Sequence, residues 1–106
     1  MAIARLALFP GGTEEQYKAL VDELGPAHTE AKGRIMLAAG AVDRGWQFVQ
    51  VWDSEQAIRQ FVENHLRPAF TRAGERAFQQ PPEITDFPLR ELVWQGAAYP
   101  LGREPN

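Results

Sequence analysis

The chain has 106 residues, 44% hydrophobic and 24% charged, with a formal net charge of −3, which suits one domain with its own core and is too short for a nucleotide-binding domain joined to a substrate domain. The mild acidity excludes a strongly basic nucleic-acid binder, because no excess of Lys and Arg is present to neutralise phosphates. The absence of cysteine excludes a disulfide framework, thiolate metal sites and a cysteine nucleophile. The longest apolar stretch, 35–42, is far short of the ~20 residues that span a bilayer. The opening run, 2–9, is interrupted by Arg5 and is followed by no small-residue cleavage site. Neither a membrane segment nor a signal peptide is expected, and the default location is the cytoplasm.

Residues 2–9, AIARLALF, are short and apolar and stop at Pro10-Gly11-Gly12, which predicts a strand. Ile3, Arg5, Ala7 and Phe9 share one face; Ala4, Leu6 and Leu8 share the other. Thr13 with Gln16 three residues on forms a capping box, and Glu14 and Glu15 suit the positive end of a helix. Tyr17, Leu20, Val21 and Leu24 follow as one helical stripe that Gly25-Pro26 ends. Residues 27–33 read as a polar connection. Two further strands, 34–42 and 46–53, flank the turn Asp43-Arg44-Gly45 as an antiparallel hairpin.

A second helix begins at Asp53 or Ser54. Ile58, Phe61, Val62, His65 and Leu66 form its apolar stripe, opposite Glu55, Arg59, Glu63 and Arg67 on a solvated face. Pro68 is expected to interrupt this helix, with a further turn reaching Gly74. Residues 79–82 read as a loop and 83–94 as a last strand. Pro88 puts that strand at a sheet edge or breaks it, since proline cannot donate to a ladder. Residues 95–106 read as an irregular C-terminal tail after a domain spanning 1–94.

The order β-α-β-β-α-β predicts an α+β, ferredoxin-like fold, a four-stranded antiparallel sheet with both helices on one face. The strands are apolar on both faces, so the helix-free face calls for a partner. A homodimer pairing sheet to sheet is the simplest one.

The segment VQVWDSEQAIRQF, 49–61, the opening PGGTEEQYKAL and the ending DFPLREL resemble the dimeric α/β-barrel superfamily, and within it the antibiotic-biosynthesis-monooxygenase-like proteins. The resemblance implies a homodimer closing into an α/β barrel, with a pocket between sheet and helices in each subunit. It also implies one of several roles: a cofactor-independent oxygenase, isomerase or cyclase acting on a hydrophobic aromatic or polyketide-like molecule, a haem-degrading enzyme, or a binding module without activity.

Candidate site residues follow from the faces. His65 reads either as a structural histidine at the core edge or as a pocket acid–base, since imidazole titrates near neutrality. The resemblance adds a third reading, a haem ligand, but residues 2–9 lack the asparagine that haem-degrading relatives carry on their first strand. Trp46, Phe48, Gln50 and Trp52 form an aromatic face, either sheet core or a stacking wall for a planar ligand that Gln50 orients. Trp52 matches the tryptophan of the family segment. Phe61 completes the expected pocket. Arg5, inside an apolar strand, either meets an acidic partner or holds a ligand anion. No phosphate loop, HExxH or GxSxG motif is present, and His28 and His65 lack carboxylates at metal-ligand spacing. The expected partners are therefore a second copy of the chain and a hydrophobic small molecule, with no nucleic acid, no membrane, no metal and no cofactor.

Overall fold

The run that stops at Pro10 forms β1, Ile3–Pro10, in a computed structural model that describes residues 1–95 and the backbone of 97–99. The first helix, α1 (Glu14–Leu24), opens with the complete capping box. The Gln16 N–H donates to the Thr13 hydroxyl at 3.1 Å, and the Thr13 N–H donates to the Gln16 side-chain oxygen at 3.0 Å. Gly25 ends the helix at a φ of 57°. The chain then tightens into a 3₁₀ turn, Gly25–His28, with Pro26 in its first turn, where sequence patterning suggested only a polar connection.

The hairpin forms as expected from β2 (Arg34–Val42) and β3 (Gly45–Trp52), with a register shift between Arg34 and Met36. Ser54 caps α2 (Glu55–Phe61) by accepting from the Ala57 N–H at 3.1 Å. The helix does not stop at Pro68, as the sequence suggested. It widens into one π turn, Val62–Leu66, and continues as α3, Arg67–Ala73. Proline offers no N–H and crowds the carbonyl four residues back, and a wide turn just ahead relieves both problems without breaking the helix.

The expected last strand is divided at Pro88. β4 covers Glu83–Pro88, and β5 (Leu92–Trp94) pairs instead with β6 (Ala97–Tyr99) in a separate two-stranded ribbon. The expected tail therefore has paired backbone at 97–99, while residues 96 and 100–106 lie outside the described residues.

The main sheet is antiparallel throughout with order β2-β3-β1-β4. This is the ferredoxin-like α+β arrangement, and β4 with its proline is at the edge, as a strand that cannot complete a ladder must be. On the helix side Ala7, Phe9, Trp46 and Phe48 pack with Leu20, Ala69 and Phe78. Phe9 stacks on Phe78 with centroids 4.3 Å apart. A second cluster gathers Trp52 at the end of β3 with Ile58 and Phe61 of α2. Arg72 and Arg76 both donate to the Glu23 carboxylate, at 3.0 and 3.2 Å, tying α3 and the turn after it to α1. On the helix-free side, Leu89 and Leu92 pack over Ala2, Ala4 and Val51, so the segment after β4 covers one end of that face. Phe87, Val93 and Trp94 remain about half exposed.

Candidate functional site

Between the sheet and the helices is a cavity of about 700 Å³. Its floor comes from the helix-side residues of β1 and β3, where register brings Arg5 opposite Gln50 and Ala7 opposite Phe48. Its roof comes from the apolar stripes of α1, α2 and α3, and residues 78–82 close one side. Five residues singled out from the sequence line it: Arg5, Phe48, Gln50, Trp52 and Phe61. Trp52 is 1% exposed, stands 5.4 Å from the Phe61 ring, and donates through its indole N–H to the Gln50 side-chain oxygen at 2.7 Å.

The structure moves two expectations, those for His65 and Trp46, and bears out one of the two readings of Arg5, the acidic partner. His65 does not point at the sheet. It is exposed and borders a separate shallow hollow with Leu24, Pro26, Ala27, Glu30 and Ala31. Regular helical spacing from Ile58 and Phe61 had put it inward. The π turn takes more residues per revolution, so the inward position falls one residue later, and Leu66 lines the cavity instead. A haem ligated by His65 does not fit this arrangement, because that imidazole lies outside the cavity. Trp46 is also absent from the cavity wall. It is buried in the core, stacked on Tyr17 at 5.0 Å, and its indole nitrogen has no partner among the described residues. Arg5 lines the cavity with its charge already matched. Its Nε and one terminal nitrogen donate to the two Asp86 oxygens, each at 2.8 Å, the two-pronged geometry that makes arginine–carboxylate pairs strong. That contact holds the Asp86 carboxyl below its ordinary range.

Three residues that sequence patterning did not select stand together on the wall: Tyr17, His28 and Arg34. Tyr17 comes from the α1 stripe, His28 from the 3₁₀ turn and Arg34 from the start of β2. The Tyr17 hydroxyl lies 3.3 Å from His28 Nε2. Burial pushes the tyrosine above its ordinary range, against a smaller opposing effect of the Arg34 charge. It therefore keeps its proton at neutral pH and is the donor. Burial first, and the Arg34 charge second, hold His28 below its ordinary value, so the imidazole is neutral near pH 7, and in its Nδ1–H tautomer Nε2 is the acceptor. The contact is long for a hydrogen bond, as unliganded acid–base pairs often are. The Arg34 guanidinium donates to the His28 carbonyl and lies 5.7 Å from the Trp52 ring centre and 5.6 Å from that of Phe61. This is within cation–π range of both. Tyr17 was legible as an apolar ring with a polar tip inside a buried stripe. His28 and Arg34 carried no comparable signal.

Histidine 28 also sets a pH dependence. Its folded value lies below the ordinary ~6.5, so its contribution to stability is fully present above that value and is lost as pH falls through the folded one. Urea unfolding measured at intervals from pH 7 downward should show stability falling below about 6.5, with a shallower fall in His28→Gln. Identical slopes for the two proteins would contradict the half-buried, neutral imidazole.

The chain is thus a ferredoxin-like α+β domain with an aromatic-walled cavity between sheet and helices and a Tyr17–His28 contact in its wall. No protein-family model matches the chain and no curated protein matches it. Solved structures do, at the level of fold. A monooxygenase from the ActVA-Orf6 gene of Streptomyces coelicolor, solved in complex with nanaomycin D, is 21% identical, with a TM-score of 0.55 over 88% of this chain and 90% of that one. A protein from Caulobacter crescentus described as a candidate antibiotic biosynthesis monooxygenase is 14% identical, with a TM-score of 0.63 over 81% and 87%. A dimeric ferredoxin-like protein of unknown function from Thermobifida fusca is 19% identical, with a TM-score of 0.61 over 84% and 92%. The chain thus has the ferredoxin-like fold of the antibiotic-biosynthesis-monooxygenase-like proteins. Among the described residues no helix is long and apolar enough to cross a membrane.

Proposed function

We propose that this chain binds a flat, mostly apolar small molecule in the cavity and, without a prosthetic group, starts proton-transfer chemistry on it that ends in oxygenation, isomerisation or cyclisation. The observation that carries this reading is the Tyr17–His28 pair in the wall of a cavity whose lining includes Phe48, Trp52, Phe61 and aliphatic side chains beside Gln50 and three arginines. A neutral imidazole close to its working range is the group general-base catalysis needs at neutral pH. Here it takes a proton from the bound molecule through the Tyr17 hydroxyl. A cavity walled by rings and aliphatic groups holds the resulting delocalised anion away from water, where fixed donors act strongly. In the oxygenase form the anion reacts with dioxygen. A CH₂ group becomes C=O, one oxygen atom stays on the product and the other leaves as water. The fold likeness to a monooxygenase solved with a ligand supports reading the cavity as a ligand site.

Anthrone is a suitable probe, because its CH₂ group ionises to a flat aromatic anion. It should quench tryptophan fluorescence by stacking near Trp52, and should consume one dioxygen per molecule as anthraquinone forms. His28→Phe should retain the quenching and lose most of the oxygen uptake. Quenching without any oxygen uptake in the wild-type protein would reduce the function to binding.

The same reading includes a homodimer built on the helix-free sheet face. Register puts Leu6 beside Val49 and Thr85, and Val49 beside Ala38, on that face. The Leu89–Leu92 segment packs only over its Ala2, Ala4 and Val51 end. Likeness to a dimeric ferredoxin-like protein supports it. Sedimentation should give twice the chain mass at micromolar concentration, and a monomer there would remove this part of the proposal.

A further inference from the structure

The cavity contains an unusual balance of charge. Among the described residues three arginines line it, Arg5, Arg34 and Arg67, and no aspartate or glutamate does, although the whole chain carries a net charge of −3. Asp86 takes both prongs of Arg5 from the neighbouring strand, leaving Arg34 and Arg67 without a carboxylate within ion-pair distance among the described residues. Of these two, Arg34 is the partly buried one and Arg67 is exposed. Of the five N–H groups a guanidinium offers, only one of Arg34 has an acceptor among the described residues, the His28 carbonyl. A desolvated cation with idle donors is costly unless an anion completes it. The flanking Trp52 and Phe61 rings soften that cost and hold the guanidinium in place, but they accept no conventional hydrogen bond.

We propose that the cavity selects a planar aromatic acid whose ionised oxygen docks on the free N–H groups of Arg34 beside the Tyr17 hydroxyl, with Arg67 adding attraction at longer range. This deepens the functional reading above and rests on its cavity. A carboxylate and a phenolate share the chemistry that Arg34 would recognise, a delocalised oxyanion coplanar with a ring. Arg5 has no such role because Asp86 occupies it.

Calorimetric binding of 2-naphthoate and of its neutral analogue 2-naphthamide to the full chain near pH 7 tests this. Naphthoate should bind at least ~10-fold more tightly, as expected when a charge-assisted hydrogen bond replaces a neutral one. Arg34→Gln should abolish the preference while naphthamide still binds, and Arg34→Lys should retain part of it. Equal affinities for the two probes, or an intact preference in Arg34→Gln, overturn the anion inference and leave the cavity reading standing. Binding of neither probe overturns both. Should Arg34→Gln fail to fold, the guanidinium Nε resonances of the wild-type protein decide. Naphthoate should shift that of Arg34, and a shift confined to Arg5, or none, overturns the assignment.

Discussion

Truncating Trp52 to alanine should lower the free energy of unfolding by ~3–5 kcal/mol, the range for removing a large buried aromatic side chain. The indole is 1% exposed, and the fall in stability has three sources in its surroundings. Its ring packs against Ile58 and Phe61 of α2. Its N–H is the donor to the Gln50 oxygen, which would be left without that partner. Its face is one of the two that hold the Arg34 guanidinium. The site already borders a cavity, so the structure has little to collapse onto, and the cost should lie in the upper part of the range. Arg59→Ala is the control on the opposite face of the helix. Its pair with Glu55 spans 3.9 Å between exposed groups, and its loss should cost under ~1 kcal/mol. Denaturant midpoints for the two variants compare them directly, and coincident midpoints would mean that Trp52 is not the packed residue described here.

Gly45→Ala should be the second severe change, through the backbone. Gly45 opens β3 with a φ of +147°, a region that side chains rarely enter. A Cβ there would lie 2.7 Å from the Gly11 nitrogen and 2.9 Å from the Gly12 nitrogen, and closer still to the Phe9 carbonyl oxygen. All three are backbone atoms, so no side chain can swing aside. The same turn receives the Gly11 N–H on the Arg44 carbonyl at 2.8 Å, locking the β1 exit against the hairpin. Strain of about 1–3 kcal/mol for the conformation and a further ~1–3 kcal/mol for the overlap are expected. Gly40→Ala lies in the same hairpin, where an added methyl meets nothing within 4 Å, and it should leave the thermal midpoint nearly unchanged. Equal midpoints for the two glycine variants would refute the close approach.

The contrast between those glycines illustrates what local pattern can and cannot reveal. Asp43-Arg44-Gly45 marked a turn from composition alone, but only the passage of β1 beside it makes a Cβ at Gly45 intolerable. Pro88 is similar. Its missing N–H by itself places it at a sheet edge, whereas the exchange of partners that starts a new ribbon at Leu92 depends on where the chain then runs.

Order and type of the main elements, the capping box at Thr13 and the division of β1 and β3 into two faces were all determined by the sequence itself. They rest on contacts between residues near in the chain or on strict alternation. From these the α+β sheet and five of the cavity residues, Arg5, Phe48, Gln50, Trp52 and Phe61, followed. Tertiary structure alone decided the rest of the site. One π turn ahead of Pro68 rotates His65 out and Leu66 in, because a helical stripe is inferred by assuming a constant number of residues per turn. Asp86 neutralises Arg5 from 81 residues away, a pairing set by strand register rather than by local pattern. Tyr17, His28 and Arg34 meet only because a helix, a 3₁₀ turn and a bulged strand converge, and burial at that convergence is what holds the imidazole neutral and leaves the guanidinium short of an anion.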